Sequence, residues 1–333
     1  LGLLMQDFNI DAIDAAENAV TANPFDPNAW AIRAMAYSRN GSTGEAIASA
    51  LHALYIASED AVAQNPDIMA PARARAQAFL AEAYFYEEQY QRALDTVEAA
   101  LDTYPDSGEA YYVRGLIKWL SPTLIDRIGA LADFQTAYEL APSYHYIAAD
   151  MMFLNAELAA ATGEDQYVQD AISIAEQVLE LNPNFPRALQ WLANYNLRTV
   201  GDFNQAADYA SRCTRANPNL ARCYYIYGRA QMQLEQYIDA GDSFQQAIDT
   251  AETDDGLIGY YYWWAAEAPI LLDNDCGDAM NYLREGWEIA QVSQDTGLID
   301  SYAVSFRRCG STIGQPTPTP IPEIAPEAQG ADD

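Results

Sequence analysis

The chain is almost without lysine: Lys118 is the only one, and the other 16 basic residues are arginine. Positive charge is scarce altogether, 17 Lys and Arg against 48 Asp and Glu, for a formal net charge of -31. So negative a chain is repelled by polyphosphates and anionic bilayers, which excludes nucleic acid as a partner. Histidine is limited to His52 and His145, far apart and with no Ser, Cys or acid at motif spacing. Nucleophilic catalysis of the Ser-His or Cys-His type therefore has no support. No glycine-rich phosphate loop is present, and the four cysteines lack the close Cys-x2-Cys spacing of a zinc site. We accordingly expect no enzyme activity, cofactor or metal. No stretch approaches the roughly 20 consecutive apolar residues of a membrane helix, so no membrane span is expected either.

What is abundant is apolar and repetitive. Hydrophobic residues make up 50% of the chain, ample for a continuous core, and acidic residues are spread along it as a solvated outer surface. Two copies of one pattern stand in clean register between Gly201 and Thr250. Ala206, Ala210 and Cys213 lie on a helix closed by Asn217-Pro218. Leu220 to Leu234 follows as a helix around Tyr224, Tyr227 and Gly228, and a turn at Gln236-Tyr237 leads to Ala240, Phe244 and Ala247. Ala206 to Ala240, Ala210 to Phe244 and Cys213 to Ala247 are each 34 residues apart. That period, with a large residue early in helix A, a small one four later and small residues on helix B, resembles the tetratricopeptide repeat. The resemblance implies an all-α fold, a right-handed α-solenoid of stacked hairpins, in which no hairpin buries its apolar stripe alone. It also implies an interaction scaffold.

Along the chain, Leu1 to Met5 lacks the basic start and small-residue cleavage site of a signal peptide, and reads as the end of a truncated helix A. Ala12, Ala16, Ala19 and Asn23-Pro24 then give a helix B, so 1–26 is a half repeat. The start in mid-repeat and without Met leads us to expect a processed or incompletely known N-terminus. About seven repeats fill 27–294. The helix B that begins at Gly44 is expected to continue to Asn65-Pro66. A capping helix covers 295–309, and 310–333 is an extended Pro/Thr-rich tail, because alternating proline from Pro316 to Pro326 cannot be helical and favours polyproline II.

Four cysteines permit three pairings, and only Cys213 with Cys223 plus Cys276 with Cys309 suits the hairpin geometry, both pairs lying at shared helix ends. The alternative is that Cys213 is simply a buried thiol. Two disulfides imply an extracellular or cell-surface location, with the cytoplasm as the alternative. Asn40-Gly41-Ser42 is a formal glycosylation sequon, and Thr317 and Thr319 are candidates for O-glycans. Asp273 to Asp278 faintly resembles the start of a calcium loop but lacks the later bidentate Glu, and helix capping explains it better.

In the family, one face of each helix A lines the concave surface. Carried onto this chain, that face holds Tyr112 and Trp119, Trp191 and Tyr195, Tyr225 and Arg229, and Tyr261 and Trp264. The basic and Asn clamp that some members use for carboxylate-ended peptides is absent. At least half of these aromatics are expected to be core, and the rest to form a groove for proline-rich segments or sugar faces. The leading expectation is self-association: Pro316, Pro318, Pro320, Ile321, Pro322 and Ile324 of one copy dock on a neighbour, the half repeat stacks on another copy's capped end, and head-to-tail contacts give a filament or oligomer. A monomeric adaptor that binds a foreign peptide, protein or glycan is the second.

Overall fold

The computed structural model describes residues 10–142, 144–252, 255–311 and 313. The described residues form 17 α-helices, one of them extended by a π-helical turn, and no strand. They fall into two compact units, Leu1–Pro183 and Asn184–Asp333.

The first unit contains α1 (Ile10–Ala22), α2 (Pro27–Arg39), α3 (Thr43–Ile56), α4 (Glu59–Gln64), α5 (Pro66–Tyr86), α6 (Tyr90–Thr103), α7 (Gly108–Leu120), α8 (Arg127–Leu140), α9 (His145–Thr162) and α10 (Asp165–Leu181). Hairpins pair α2 with α3, α5 with α6, α7 with α8 and α9 with α10. Stacking places α2 on α5 and α5 on α7, while α3, α6 and α8 each pack on the first helix of the next hairpin. Helix starts are encoded locally: the Asp26, Ser107 and Asp126 side chains accept the first free N–H groups of α2, α7 and α8, and proline occupies the first turn of α2 and α5.

The two helices of a hairpin bury different amounts. In α6 and α10 only Ala93, Val97 and Ala100, and Ala171, Ala175 and Val178, are buried, a narrow stripe at i, i+4 and i+7. By contrast α5 buries 11 residues and is covered on most sides. The expected single helix from Gly44 to Asn65-Pro66 is broken instead. It ends at Ile56, and Ser58, whose hydroxyl accepts the Ala61 N–H, starts the separate α4. Pro66, which has no N–H to give, opens α5 rather than closing what precedes it. The Ala57 carbonyl left at the break accepts from Arg73 Nη1 at 3.0 Å.

The second unit contains α11 (Pro186–Tyr195, continued by the π turn Asn196–Val200), α12 (Phe203–Ala216), α13 (Ala221–Gln233), α14 (Tyr237–Thr250), α15 (Ile258–Asp273), α16 (Cys276–Ser293) and α17 (Thr296–Arg308). Hairpins pair α11 with α12, α13 with α14 and α15 with α16, and α17 packs on α15 and α16. Leu298, Tyr302 and Phe306 of α17 join a core with Leu283 and Ala290, and the Tyr302 hydroxyl donates to the Gly259 carbonyl at 2.6 Å. Asp300, Val304, Arg307 and Arg308 are exposed on the opposite side of α17.

Both disulfides join helix ends: Cys213 to Cys223 between α12 and α13, and Cys276 to Cys309 between α16 and α17. Cys213 is therefore not a free buried thiol. Sequence separations are 10 and 33. By loop-closure entropy such links are worth about 2.5 and about 3.5 kcal/mol. We expect reduction to lower the melting temperature, and Cys276→Ser with Cys309→Ser to speed amide exchange selectively in 296–308, measured by mass spectrometry.

Close approach within a hairpin is set by glycine. A Cβ on Gly115 would meet the Phe134 ring at 2.6 Å, and one on Gly228 would meet the Phe244 ring at 2.7 Å. Phe134 follows Gly115 by 19 residues and Phe244 follows Gly228 by 16, so the extra residues around Ser121-Pro122 loop out of the turn without changing the contact. Gly115→Ala and Gly228→Ala should each destabilise their unit by about 1–3 kcal/mol in urea unfolding. Gly241→Ala, whose Cβ meets nothing closer than 3.8 Å, should instead stabilise, by up to about 1 kcal/mol of helix propensity.

Candidate partner-binding surface

Three acids stand alone in apolar runs, Glu82, Asp150 and Glu267, and their exposures are 0%, 0% and 6%. A buried carboxylate is costly unless it is paired. In the first unit Glu82 Oε1 accepts from Arg39 Nε at 2.9 Å, and the Arg39 guanidinium lies 4.5 Å from the Tyr146 ring and 5.5 Å from that of Tyr112. The Tyr112 hydroxyl donates to Asp150 Oδ2 at 2.8 Å. Arg39, Glu82, Tyr112 and Asp150 come from α2, α5, α7 and α9, one from the first helix of each hairpin.

A second row crosses the same hairpins. Arg75 Nη1 donates to Asn28 Oδ1 at 2.6 Å, Arg75 Nε to Glu109 Oε1 at 2.8 Å, and the Tyr144 hydroxyl to Glu109 Oε1 at 3.5 Å. Trp119 Nε1 and Arg127 Nε converge on Glu157 at 2.6 and 2.7 Å. Burial, helped by Asp150, pushes the Tyr112 phenol well up, so that it stays a donor. Burial pushes the Glu82 carboxyl up and Arg39 pulls it back. Each of these side chains thus has a partner within the rows, although Glu82 Oε2 is buried without a hydrogen bond.

The second unit differs. Trp191 and Tyr195 on α11 stack with centroids 5.4 Å apart and planes 4° from parallel, both half-buried. The Arg229 guanidinium on α13 lies 5.7 Å from the Tyr225 ring and 5.3 Å from that of Trp264 on α15, again all half-buried. Phe244 backs Trp264 at 6.0 Å and Tyr225 at 6.3 Å from the core side. Cation–π contacts fix Arg229 with its edge available for further bonds.

Two of the residues expected in the groove are core. Tyr112 is 2% exposed and Tyr261 0%, the latter donating to Asp255 Oδ2 at 2.8 Å. Each is drawn inward by a carboxylate that satisfies its hydroxyl, which is what lets a tyrosine be fully buried. Trp119 is half-buried against Phe134 and spends its N–H on Glu157. The residues expected to dock, Pro316, Pro318, Pro320, Ile321, Pro322 and Ile324, and the candidate O-glycan sites Thr317 and Thr319, lie outside the described residues. Sequence reasoning missed Arg39, Glu82 and Asp150, although a single acid inside an apolar helix, as in Leu80-Ala81-Glu82-Ala83-Tyr84, is a readable signal. Glu82→Leu should cost the first unit about 3–5 kcal/mol by removing the buried carboxylate that accepts from Arg39 Nε. Combining it with Arg39→Met should restore much of that loss in urea unfolding.

Comparison with known proteins agrees with this architecture. The tetratricopeptide repeat family model matches residues 9–66 and 79–122, and the model of anaphase-promoting complex, cyclosome, subunit 3 matches 164–247. The mitochondrial import receptor subunit TOM70 of Rattus norvegicus is 27% identical over 171 residues, 50% of this chain and 27% of its own length. The chain thus spans about a quarter of that relative. Among solved structures, the APC/C hetero-tetramer Cut9-Hcn1 is similar with a TM-score of 0.63 and 15% identity, covering 89% of this chain and 52% of that one. PilF of Pseudomonas aeruginosa is similar with a TM-score of 0.56 and 12% identity, covering 69% and 96%. At such identities the structural likeness speaks for fold alone, and the family rests on the matched stretches together with the stacked helix hairpins: the chain belongs to the tetratricopeptide repeat family.

Proposed function

We propose that the chain is an exported, non-enzymatic scaffold whose second unit holds an extended proline-rich protein segment against Trp191, Tyr195, Tyr225, Arg229 and Trp264, and that this segment is the Gln315 to Pro326 stretch of another copy. The observation that carries the reading is the strip itself: half-buried rings and one arginine held between two of them. Polyproline II loses little entropy on docking and presents ring faces to aromatic grooves. A tail on a neighbour's strip is a heterologous contact, which propagates into a filament or closes into a ring. The outward residues of α17 are Asp300, Val304, Arg307 and Arg308. A face that is three-quarters charged favours tail docking over end-to-end stacking as the contact that builds the assembly. Two disulfides support export. A flat Trp191–Tyr195 stack also suits a sugar face or a foreign peptide, the second reading.

Light scattering of the full chain, of a 315–333 deletion and of Trp191→Ala with Arg229→Ala tests the assembly. Larger species are expected for the full chain only, and they should grow with salt, because a net charge of -31 on each copy opposes association. A monomer in every case, or an equal oligomer in every case, rejects tail docking.

A further inference from the structure

Half-buried arginines in this chain have acids beside them, with two exceptions. Arg33, Arg73, Arg75, Arg114, Arg127 and Arg212 are half-buried, and each has a carboxylate oxygen at 2.6 to 3.6 Å. Arg222 and Arg229, half-buried on α13, take part in no ion pair among the described residues. Where 48 acidic residues face 17 basic ones, a partly buried guanidinium without a carboxylate is the unusual case.

The two share a face. Arg222, Tyr225 and Arg229 stand at i, i+3 and i+7 of α13, about 10 Å of helix from first to last. At the Arg229 end are the Tyr225 and Trp264 rings, 5.7 and 5.3 Å from the guanidinium. At the Arg222 end is Tyr261, its ring 5.0 Å from that of Tyr225. Burial and then Asp255 push the Tyr261 phenol up, and Arg222 pulls it back. Arg222 also stands in the first turn of α13, which holds no acidic residue, so its own helix supplies no counter-charge at the end where a cation is least welcome. A guanidinium partly stripped of water gains most from an anion brought to it.

We propose that Arg229 and Arg222 read the acids of a docked tail, Glu323 of another copy pairing with Arg229 and Glu327 with Arg222, while Pro320 and Pro326 rest on the rings beside Arg229. Charge complementarity carries the assignment. Residues 315–333 contain Glu323, Glu327, Asp332 and Asp333 and no basic residue, and a surface as acidic as this chain's repels such a segment elsewhere. In polyproline II residues three apart share an edge, which sets Pro320, Glu323 and Pro326 in one row. That row is a carboxylate with a proline on either side, and it meets a guanidinium with a ring on either side. Glu327 follows Glu323 by about 12 Å at the polyproline rise, close to the spacing from Arg229 to Arg222, so both pairs form at once. The pairing rests on tail docking at the aromatic strip and adds its register, with the tail antiparallel to α13. Held among rings, these pairs are screened by salt less than the repulsion between whole copies.

Sedimentation of full-length chains tests the pairing. Arg229→Glu and Glu323→Arg should each weaken association about tenfold or more with helical circular dichroism intact, and the two together, in one chain or as a mixture of the two variants, should restore it. Arg222→Glu with Glu327→Arg should repeat that pattern. Asp333→Arg makes the same change in net charge as Glu323→Arg and should leave association as strong as before. A free peptide of residues 315–333 should dissolve the assembly of the unaltered chain, and its Glu323→Gln form should need about ten times the concentration. A monomeric unaltered chain would sink tail docking and the pairing with it. Four results would overturn the pairing alone and leave tail docking in place: assembly that needs residues 315–333 but is indifferent to Arg229→Glu or Glu323→Arg, an equal loss with Asp333→Arg, a charge-swapped chain that does not recover, or two peptides of equal potency.

Discussion

Everything in this fold depends on the narrowness of the stripe carried by the second helix of each hairpin. Three small residues such as Ala93, Val97 and Ala100 bury too little apolar surface to hold a helix of 14 residues in water. Because those side chains are small, however, the next helix can come close, and Gly115 and Gly228 let the phenylalanine of the opposing helix seat against bare backbone. Stability is therefore a property of contacts between neighbours, and each hairpin is only as secure as the one beside it. At the C-terminal end of the described helices that requirement is met by α17, tied down by a disulfide, by Tyr302 and by Arg308, whose Nη1 donates to Glu267 Oε2 at 2.8 Å.

The two units use the same scaffold for different ends. In the first, polar residues on successive first helices bond to one another, so Arg39, Glu82 and Asp150 act as internal cross-links between repeats. Such buried pairs add little net stability relative to apolar residues, but they penalise any register in which a partner is missing. In the second, Trp191, Tyr195, Tyr225, Arg229 and Trp264 on the first helices are half-buried and are held by contacts of ring on ring and of guanidinium on ring. Scaffold and surface are thus separable: small residues and glycine set the stack, and what is mounted on the first helices sets its chemistry.

The hairpins, their 34-residue register and both cysteine pairings were legible in the sequence, because each depends on local periodicity or on residues at the ends of adjacent helices. Spacing alone misjudged the stretch from Gly44 to Pro66, where a serine hydroxyl and a proline ring restart the helix twice. Which of the groove aromatics would turn out to be core, as Tyr112 and Tyr261 do, was not legible: position on a helix face says which way a side chain leaves the backbone, but not whether a carboxylate waits to receive its hydroxyl.

By itself, then, the chain determined the all-α class, the pairing of helices and the acidic, lysine-poor surface, since period, caps and composition act within a few turns of their own residues. Only the tertiary structure decided which acids are buried, which aromatics are core, and which half-buried arginines have an acid beside them. Those outcomes turn on distances between side chains far apart along the chain, and stacking brings them together by amounts that the spacing of residues does not encode.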